Sequence, residues 1–282
     1  MERSARRGVV RGVASALMLL LLGAPATAQS PKLKNIELCN GVDRTSPDPQ
    51  INGCTALIDS GKETTQTLAI AYNNRGNAYT GKGEYDRAIK DYDQSIKFNP
   101  NYAKAFNNRG VAYRKKGAYD RAINDFDESI KLNPDYASAF ANRAEAYQNK
   151  GEHERAARDY DEAIRLAPML EVAWNGRCWT RAIVGELGAA LADCNEALRL
   201  EPNVAATLDS RGFTYLKMGQ WDAAIADYSS ALRIDPTLTS SLYGRGLAKL
   251  KKGDTTGGNA DIAAAKATEA NIVADFARYG LQ

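Results

Sequence analysis

A proline recurs every 34 residues along most of this 282-residue chain, and this period constrains the fold more than any other feature. The prolines are Pro100, Pro134, Pro168, Pro202 and Pro236. A glycine recurs in the same phase, at Gly83, Gly117, Gly151, Gly185, Gly219 and Gly253. Self-similarity at a period of this length is the signature of a repeat architecture, in which each unit packs mainly on its neighbours.

Each repeat contains two amphipathic segments, one before the glycine and one after it. In both segments apolar residues recur at helical spacing over about 13 residues. The glycine supplies the turn between two helices, and the proline ends the second helix. The sequence therefore predicts an all-α fold, a right-handed α-solenoid of stacked antiparallel helix pairs. The predicted units are 67–100, 101–134, 135–168, 169–202, 203–236, a degenerate copy at 237–270, and a carboxyl-terminal capping helix at 271–282.

The residues before the repeats divide into two parts. A basic start, the apolar run VASALMLLLL at 13–22 and the sequence Ala26-Thr27-Ala28 predict a cleaved signal peptide of bacterial type at 1–28. The apolar run is too short to span a membrane, which takes roughly 20 residues. We therefore expect an exported protein without a membrane span, periplasmic or alternatively secreted. Residues 29–66 do not follow the repeat register and are predicted to form an amino-terminal helical cap.

Removal of the signal peptide balances the charge of the chain. The whole sequence has 37 Lys and Arg against 34 Asp and Glu, and loss of four arginines and one glutamate leaves 33 of each. Nucleic-acid binding requires a basic excess on one face, so no nucleic-acid partner is expected. The single histidine, His153, argues against a multi-histidine metal site and a Ser-His-Asp triad. Because repeats and caps account for the mature length, we expect no enzyme activity, metal or cofactor.

The four cysteines form two candidate pairs. Cys178 and Cys194 lie nearly level on the two helices of one repeat, and Cys39 and Cys54 lie 15 residues apart in the cap. An oxidising compartment lets disulfides persist. A disulfide between Cys178 and Cys194 is therefore favoured over two buried free thiols, and the cap pair suits a second bridge.

The repeat resembles the tetratricopeptide repeat (TPR) family. When the proline is numbered position 32, position 8 is small in most copies and position 11 is tyrosine in four of the six. Position 20 holds Ala88, Ala122, Ala156, Ala190 and Ala224, and position 24 holds Tyr92, Phe126, Tyr160, Cys194 and Tyr228. The resemblance covers 67–236 and weakens in the sixth copy, where Gly257 and Gly258 lower the helix propensity by about 1 kcal/mol each.

Arginine occupies position 7 of all six copies, and aspartate occupies position 23, which lies 16 residues later. A column of arginines could bind a polyanion. In a helical hairpin, however, these two positions are level and lie at the margin of the apolar stripe, where Arg can bury its stem and pair with a carboxylate. We therefore interpret the arginines as structural and assign them to no ligand site.

By resemblance to the TPR family, the first helix of each repeat lines a concave groove that takes a protein or an extended peptide. The residues placed there are Asn73, Asn74, Asn77, Asn107, Asn108, Arg114, Asn142, Glu145, Gln148, Trp179, Phe213 and Tyr243. The first three repeats thus present mainly amides, and the last three present aromatic residues. The carboxylate clamp of the family is not matched, because Asn73 stands where its first lysine would be.

Asn74, Asn108 and Asn142 occupy position 6 of three consecutive repeats. A carboxamide can donate to a peptide carbonyl and accept from a peptide N–H, so such a ladder suits an extended backbone whatever its side chains. Some TPR proteins use a ladder of this kind. The alternative interpretation is that asparagine here merely tolerates solvent.

The leading hypothesis is a non-catalytic scaffold in the cell envelope that binds an extended segment of a partner protein in the groove. The alternative is a structural envelope protein that contacts peptidoglycan or an acidic polymer through Arg and Lys. That alternative requires arginines that are free of their aspartates. Neither the identity of the partner nor the oligomeric state follows from the sequence.

Overall fold

The computed structural model describes residues 30–41 and 46–281; the predicted signal peptide at 1–28 lies outside them. These residues form fifteen α-helices and no strand. The helices are α1 (Pro31–Cys39), α2 (Pro47–Asp59), α3 (Thr65–Gly81), α4 (Tyr85–Phe98), α5 (Ala103–Lys115), α6 (Tyr119–Leu132), α7 (Ala137–Asn149), α8 (His153–Leu166), α9 (Glu171–Val184), α10 (Leu187–Leu200), α11 (Ala205–Lys217), α12 (Trp221–Ile234), α13 (Thr239–Lys251), α14 (Thr255–Thr268) and α15 (Ile272–Arg278). No helix among the described residues is long and apolar enough to cross a membrane.

The helices stack as hairpins in chain order, from α3 with α4 to α13 with α14. The first helix of each hairpin also contacts the first helix of the next, whereas no two second helices of the described hairpins contact each other. This asymmetry curves the stack, so the first helices line the concave face and the second helices line the convex face. The predicted all-α solenoid is confirmed.

Glycine shapes both the turns and the helix contacts. The turn residues Gly83 and Gly151 have φ of 74° and 77°, a left-handed conformation that L side chains rarely adopt. Within the hairpins, position 8 faces the ring at position 24. A Cβ atom at Gly110 would lie 2.7 Å from the ring of Phe126. The small residue therefore lets the buried ring fill the space between the two helices.

The sixth repeat is regular in spite of its glycines. Helix α14 runs without interruption through Gly257 and Gly258. A Cβ at Gly258 would lie 2.9 Å from the carbonyl oxygen of Gly246 and 2.7 Å from the Leu250 side chain. Close approach of α13 and α14 therefore requires Gly258, and this packing offsets the lower helix propensity of glycine.

The amino-terminal cap is a further hairpin of the stack with a longer spacing. Helix α1 packs on α2, and α2 packs on α3. Asp48 bonds a lysine of the following hairpin, as Asp86 does one repeat later. Thr55 accepts a bond from an arginine of the following hairpin, as Asp93 does. Asp48 and Thr55 each precede their counterparts by 38 residues instead of 34, which explains why the cap does not follow the repeat register.

Both predicted cysteine pairs lie at disulfide-bonding distance. The Cα separation is 4.5 Å between Cys39 and Cys54 and 5.3 Å between Cys178 and Cys194, within the limit of about 7 Å for a bridge. All four residues are buried. Each pair joins the two helices of one hairpin.

Candidate functional site

The arginines at position 7 form a ladder of ion pairs along the stack. Each donates two hydrogen bonds to the aspartate at position 23 of its own repeat, as Arg109 does to Asp125 at 2.8 and 2.7 Å. The other pairs are Arg75 with Asp91, Arg143 with Asp159, Arg177 with Asp193, Arg211 with Asp227 and Arg245 with Asp261. A further nitrogen of Arg109 bonds Asp93 of the preceding hairpin at 2.6 Å. The structural interpretation of these arginines is confirmed.

The surroundings of Arg109 keep it charged. Its guanidinium lies 5.5 Å from the ring centre of Phe106. Burial is the largest single influence and lowers the pKa of Arg109, but the combined hydrogen bonds and charges of Asp125 and Asp93 outweigh it and raise the pKa. The guanidinium donates three hydrogen bonds, and all of them go to carboxylates, those of Asp125 and Asp93. It does not meet the requirement for free arginines on which the acidic-polymer alternative depends.

The asparagines of the predicted groove bond to each other. Their carboxamides form one chain across the first helices, in which each amide nitrogen donates to the next carbonyl oxygen. The chain runs from Asn142 to Asn107 (2.9 Å), Asn108 (3.1 Å), Asn73 (3.0 Å), Asn74 (3.2 Å) and Asn40 (3.4 Å). Asn108 also donates to Asn77 at 2.9 Å. The amides therefore link the first helices α1, α3, α5 and α7 along the concave side.

Two of these asparagines are not open to a partner. Asn73 and Asn107, both at position 5, are only 3% and 4% exposed. The prediction that they line the groove surface is wrong, because successive first helices pack closely enough to enclose position 5. Asn74, Asn108 and Asn142 are half-buried, and Asn77 is exposed.

Further predicted groove residues bridge neighbouring repeats. Arg114 of α5 forms an ion pair with Glu145 of α7, and the glutamate is the more exposed partner. Gln148 donates to the carbonyl oxygen of Gly176 at 3.0 Å and accepts from Tyr160 at 2.8 Å. Glu145 is the member of this set with a well exposed functional group.

The aromatic half of the predicted groove is covered by α15 of the same chain. Phe276 packs edge-on against Phe213 and Tyr243, with ring centres 5.9 and 4.8 Å apart. Tyr279 packs edge-on against Trp179 at 5.5 Å. Phe213 is 1% exposed and Tyr243 is 5% exposed. Both rings were predicted to face a partner in the groove, but they are not open to one. The reason is that α15 turns into the concave face and crosses the fourth, fifth and sixth repeats.

The spacing of three apolar residues explains how α15 sits in the groove. Ile272, Phe276 and Tyr279 recur at i, i+4 and i+7, which places them on one face of the helix. Ile272 and Phe276 are buried, and Val273 on another face is exposed. The sequence contained this signal for an apolar face, but it did not identify the surface that the face covers.

The groove stays open beyond α15. A cavity of about 530 Å³ begins at Tyr279 and Trp179 and extends along the third repeat. Its wall is polar and includes Glu145, Asn149 and Lys150. The open part of the concave face thus lies amino-terminal to the region that α15 covers, at the third repeat and the exposed Glu145.

A half-buried carboxylate ties two first helices together in the carboxyl-terminal half of the stack. Asp209 of α11 accepts hydrogen bonds from Ser240 and Ser241 of α13 at 3.0 and 2.5 Å. Burial raises the pKa of Asp209 to about 6, and the serine hydroxyls oppose this rise only in part. Within residues 30–41 and 46–281, no group of three or more metal-ligating side chains could hold an ion.

Comparison with known proteins identifies the repeat. Family models described as TPR repeat match residues 76–117 and 212–253, and two described as tetratricopeptide repeat match 103–136 and 137–169. The comparison with curated proteins gives no match.

Several solved structures are similar to the chain. A tetratricopeptide repeat protein from Parabacteroides merdae aligns with a TM-score of 0.65 at 18% identity, over 87% of this chain and 98% of that protein. YrrB, described as a TPR protein with an unusual peptide-binding site, aligns with a TM-score of 0.51 at 22% identity, over 68% and 97%. PilW, described as a widely conserved type IV pilus biogenesis factor, gives 0.64 at 17% identity, over 71% and 93%. At these identities the likeness shows a shared fold.

Proposed function

Because this chain contains tetratricopeptide repeats, we propose that it is a non-catalytic scaffold of the cell envelope that binds an extended segment of a partner protein in its concave groove. Repeats of this kind commonly mediate protein–protein interactions and are generally not catalytic. The binding surface in this proposal is the open, amino-terminal part of the groove.

The observation that carries the proposal is the position of α15. The concave face already holds a short segment of chain, anchored through Phe276 and Tyr279 against a row of aromatic side chains. Aromatic anchors of this kind supply much of the binding energy in peptide recognition. YrrB, which has the same fold, is described as having a peptide-binding site.

The amide chain leaves acceptors for a partner backbone. The carbonyl oxygens of Asn74 and Asn108 each accept one hydrogen bond within the chain, and that of Asn142 accepts none. A carbonyl oxygen has two lone pairs, so each retains an acceptor site. In the proposal these three oxygens receive N–H groups of an extended segment, while their amide nitrogens hold the repeats together.

The location in the cell envelope is proposed from the predicted signal peptide and the cysteines. Both cysteine pairs lie at bonding distance inside the hairpins. Disulfides persist in oxidising compartments such as the periplasm and the exterior of the cell. We therefore place the scaffold in the periplasm, with secretion as the alternative.

Site-specific photo-crosslinking tests the groove. A photoreactive residue at Asn149, which lines the open cavity, is compared with one at Asn124, an exposed residue on the second helix α6. We expect Asn149 to capture a protein from an envelope extract and Asn124 to capture none. Equal capture at both positions, or capture at Asn124 alone, would contradict groove binding.

A further inference from the structure

The arginine ladder changes at its amino-terminal end. In three consecutive repeats the arginine also pairs with an aspartate of the hairpin before it: Arg109 with Asp93, Arg143 with Asp127 and Arg177 with Asp161. In the first repeat the corresponding nitrogen of Arg75 bonds the hydroxyl of Thr55 at 3.0 Å. Arg75 therefore has one carboxylate fewer than these three arginines.

A cavity lies where that carboxylate is missing. It has a volume of about 560 Å³ and is lined by Ile51, Thr55, Arg75, Tyr79, Arg87, Lys90 and Asp91. The equivalent cavity of the third repeat has about 270 Å³ and is lined by Asp127, Arg143, Tyr147, Arg155, Arg158 and Asp159. Five lining residues of the first cavity have counterparts 68 positions later in the second. The larger cavity has Thr55 at the place that Asp127 takes in the smaller one.

The charges of the two cavities differ by one carboxylate. In the first cavity, Asp91 and Glu84 pair with two of the three cations. The third cation, Lys90, is exposed and forms no ion pair with the described part of the chain. In the third repeat Arg143 pairs with Asp127 and Asp159, and Arg155 pairs with Glu152. Arg158, like Lys90, is exposed and forms no ion pair with the described residues, so three cations accompany three carboxylates. The first cavity thus carries one more positive charge.

We propose that the first cavity binds a carboxylate side chain, aspartate or glutamate, of a partner protein. The carboxylate enters the cavity beside Thr55 and supplies Arg75 with the second negative charge that Asp127 supplies to Arg143 in the third repeat. The guanidinium of Arg75 has five N–H groups and uses three in the bonds to Asp91 and Thr55. The remaining N–H groups and the ammonium of Lys90 supply charge-assisted hydrogen bonds.

This site is separate from the groove. Arg87, Lys90 and Asp91 belong to α4, a second helix on the convex side of the stack. Binding there does not depend on the amide chain or on α15. Failure of the groove proposal would therefore leave this site intact, and the reverse is also true.

The test follows the arginine side chains by NMR. The whole mature protein, with its Nε–H groups labelled with ¹⁵N, is titrated with sodium acetate while sodium chloride keeps the ionic strength constant. We expect a saturable shift of the Arg75 signal at least three times larger than that of the Arg143 signal. Equal shifts at the two arginines would overturn the proposal.

Two substitutions exchange the properties of the cavities. Thr55→Asp places a carboxylate beside Arg75, and we expect the acetate response of Arg75 to weaken at least fivefold. Asp127→Thr removes the carboxylate beside Arg143, and we expect Arg143 to acquire a response like that of Arg75. An Arg75 response that persists unchanged in the Thr55→Asp variant would show that acetate binds elsewhere and would refute the site.

Discussion

Arg109 holds two carboxylates in different surroundings, and Asp125 is the buried one. Asp125 bonds the guanidinium from the same repeat and is 6% exposed. Asp93 bonds it from the preceding repeat and has a side chain that is 48% exposed. The same cation thus pairs once in a buried site and once at the surface, where water and salt screen the interaction.

Removal of the buried carboxylate should cost far more stability than removal of the exposed one. Asp125→Ala leaves a partly buried guanidinium without its main partner, which costs about 3–5 kcal/mol. Asp93→Ala removes an exposed pair, which is worth about 0–1 kcal/mol. Hydrogen exchange of the α5 and α6 amides measures both effects. Equal loss of protection in the two variants would contradict this ranking.

The amide chain predicts a structural cost for Asn108→Ala. The variant removes the donor to Asn73 and the acceptor for Asn107, both buried, and leaving such groups unsatisfied costs about 1–3 kcal/mol. Asn124→Ala on the exposed side of α6 is the control, with an expected change within about 0.5 kcal/mol. Urea denaturation compares the two. If Asn108→Ala behaves like Asn124→Ala, the chain does not hold the repeats together.

Phe276→Ala should release α15 from the groove. Loss of a buried phenylalanine ring costs about 3–5 kcal/mol, and the row formed with Phe213 and Tyr243 is then exposed to water. We expect the fluorescence of Trp179, observed with the other two tryptophans replaced by phenylalanine, to shift to longer wavelength. Val273→Ala on the exposed face of α15 should leave the emission unchanged, and a shift of equal size there would contradict the packing.

Each disulfide should stabilise mainly the hairpin that contains it and the neighbouring hairpins. A bridge that closes a loop of about 15 residues stabilises a fold by about 3 kcal/mol. In a stack where each hairpin contacts its neighbours, loss of the Cys178–Cys194 bridge should reduce hydrogen-exchange protection mainly in the fourth repeat and the repeats beside it. Replacement of Cys39 and Cys54 by alanine should instead affect α1 to α3. Uniform loss of protection along the stack in either variant would argue against local action.

The raised pKa of Asp209 predicts that the stability of the fold depends on pH. Its folded-state pKa of about 6 lies above the ordinary value of 3.8, so its contribution to stability is full below the ordinary value and is lost as the pH rises through 6. Over that window the loss is at most about 3 kcal/mol. We expect the difference in Tm between Asp209→Asn and wild type to increase from pH 4 to pH 7. A difference that stays constant would show that Asp209 does not titrate in this range.

Asp235 provides a control of opposite sign. Hydrogen bonds from Thr237 lower the pKa of Asp235. Its contribution is therefore present above the ordinary pKa and is lost as the pH falls. Asp235→Asn should destabilise the protein more at pH 7 than at pH 3, and the reverse order would contradict the assignment.

The sequence was sufficient to predict α3 to α14, because the pattern that buries each helix is repeated in every hairpin. The arginine ladder was predictable for the same reason, since Arg109 and Asp125 are level in any hairpin of this spacing. The cap was recognised as helical, but its place in the stack was missed because its spacing is 38 residues instead of 34.

The groove was less predictable because its surface depends on contacts between helices distant in sequence. The burial of Asn73 is set by how closely α5 packs against α3, and no local pattern of residues specifies that distance. The position of Phe276 over Phe213 likewise depends on the direction in which the chain turns after α14. The sequence placed these residues on the first helices, but their accessibility depends on packing that only the structure shows.

The 38-residue spacing of the first hairpin has a consequence for how the chain assembles. A row of near-identical hairpins has many alternative alignments, since a segment displaced by one whole repeat meets almost the same partners. Such near-degenerate arrangements create kinetic traps. The hairpin of α1 and α2 differs from all the others in spacing and contains its own cysteine pair. The first hairpin therefore fits the stack in one alignment, and that alignment sets the alignment of every later hairpin.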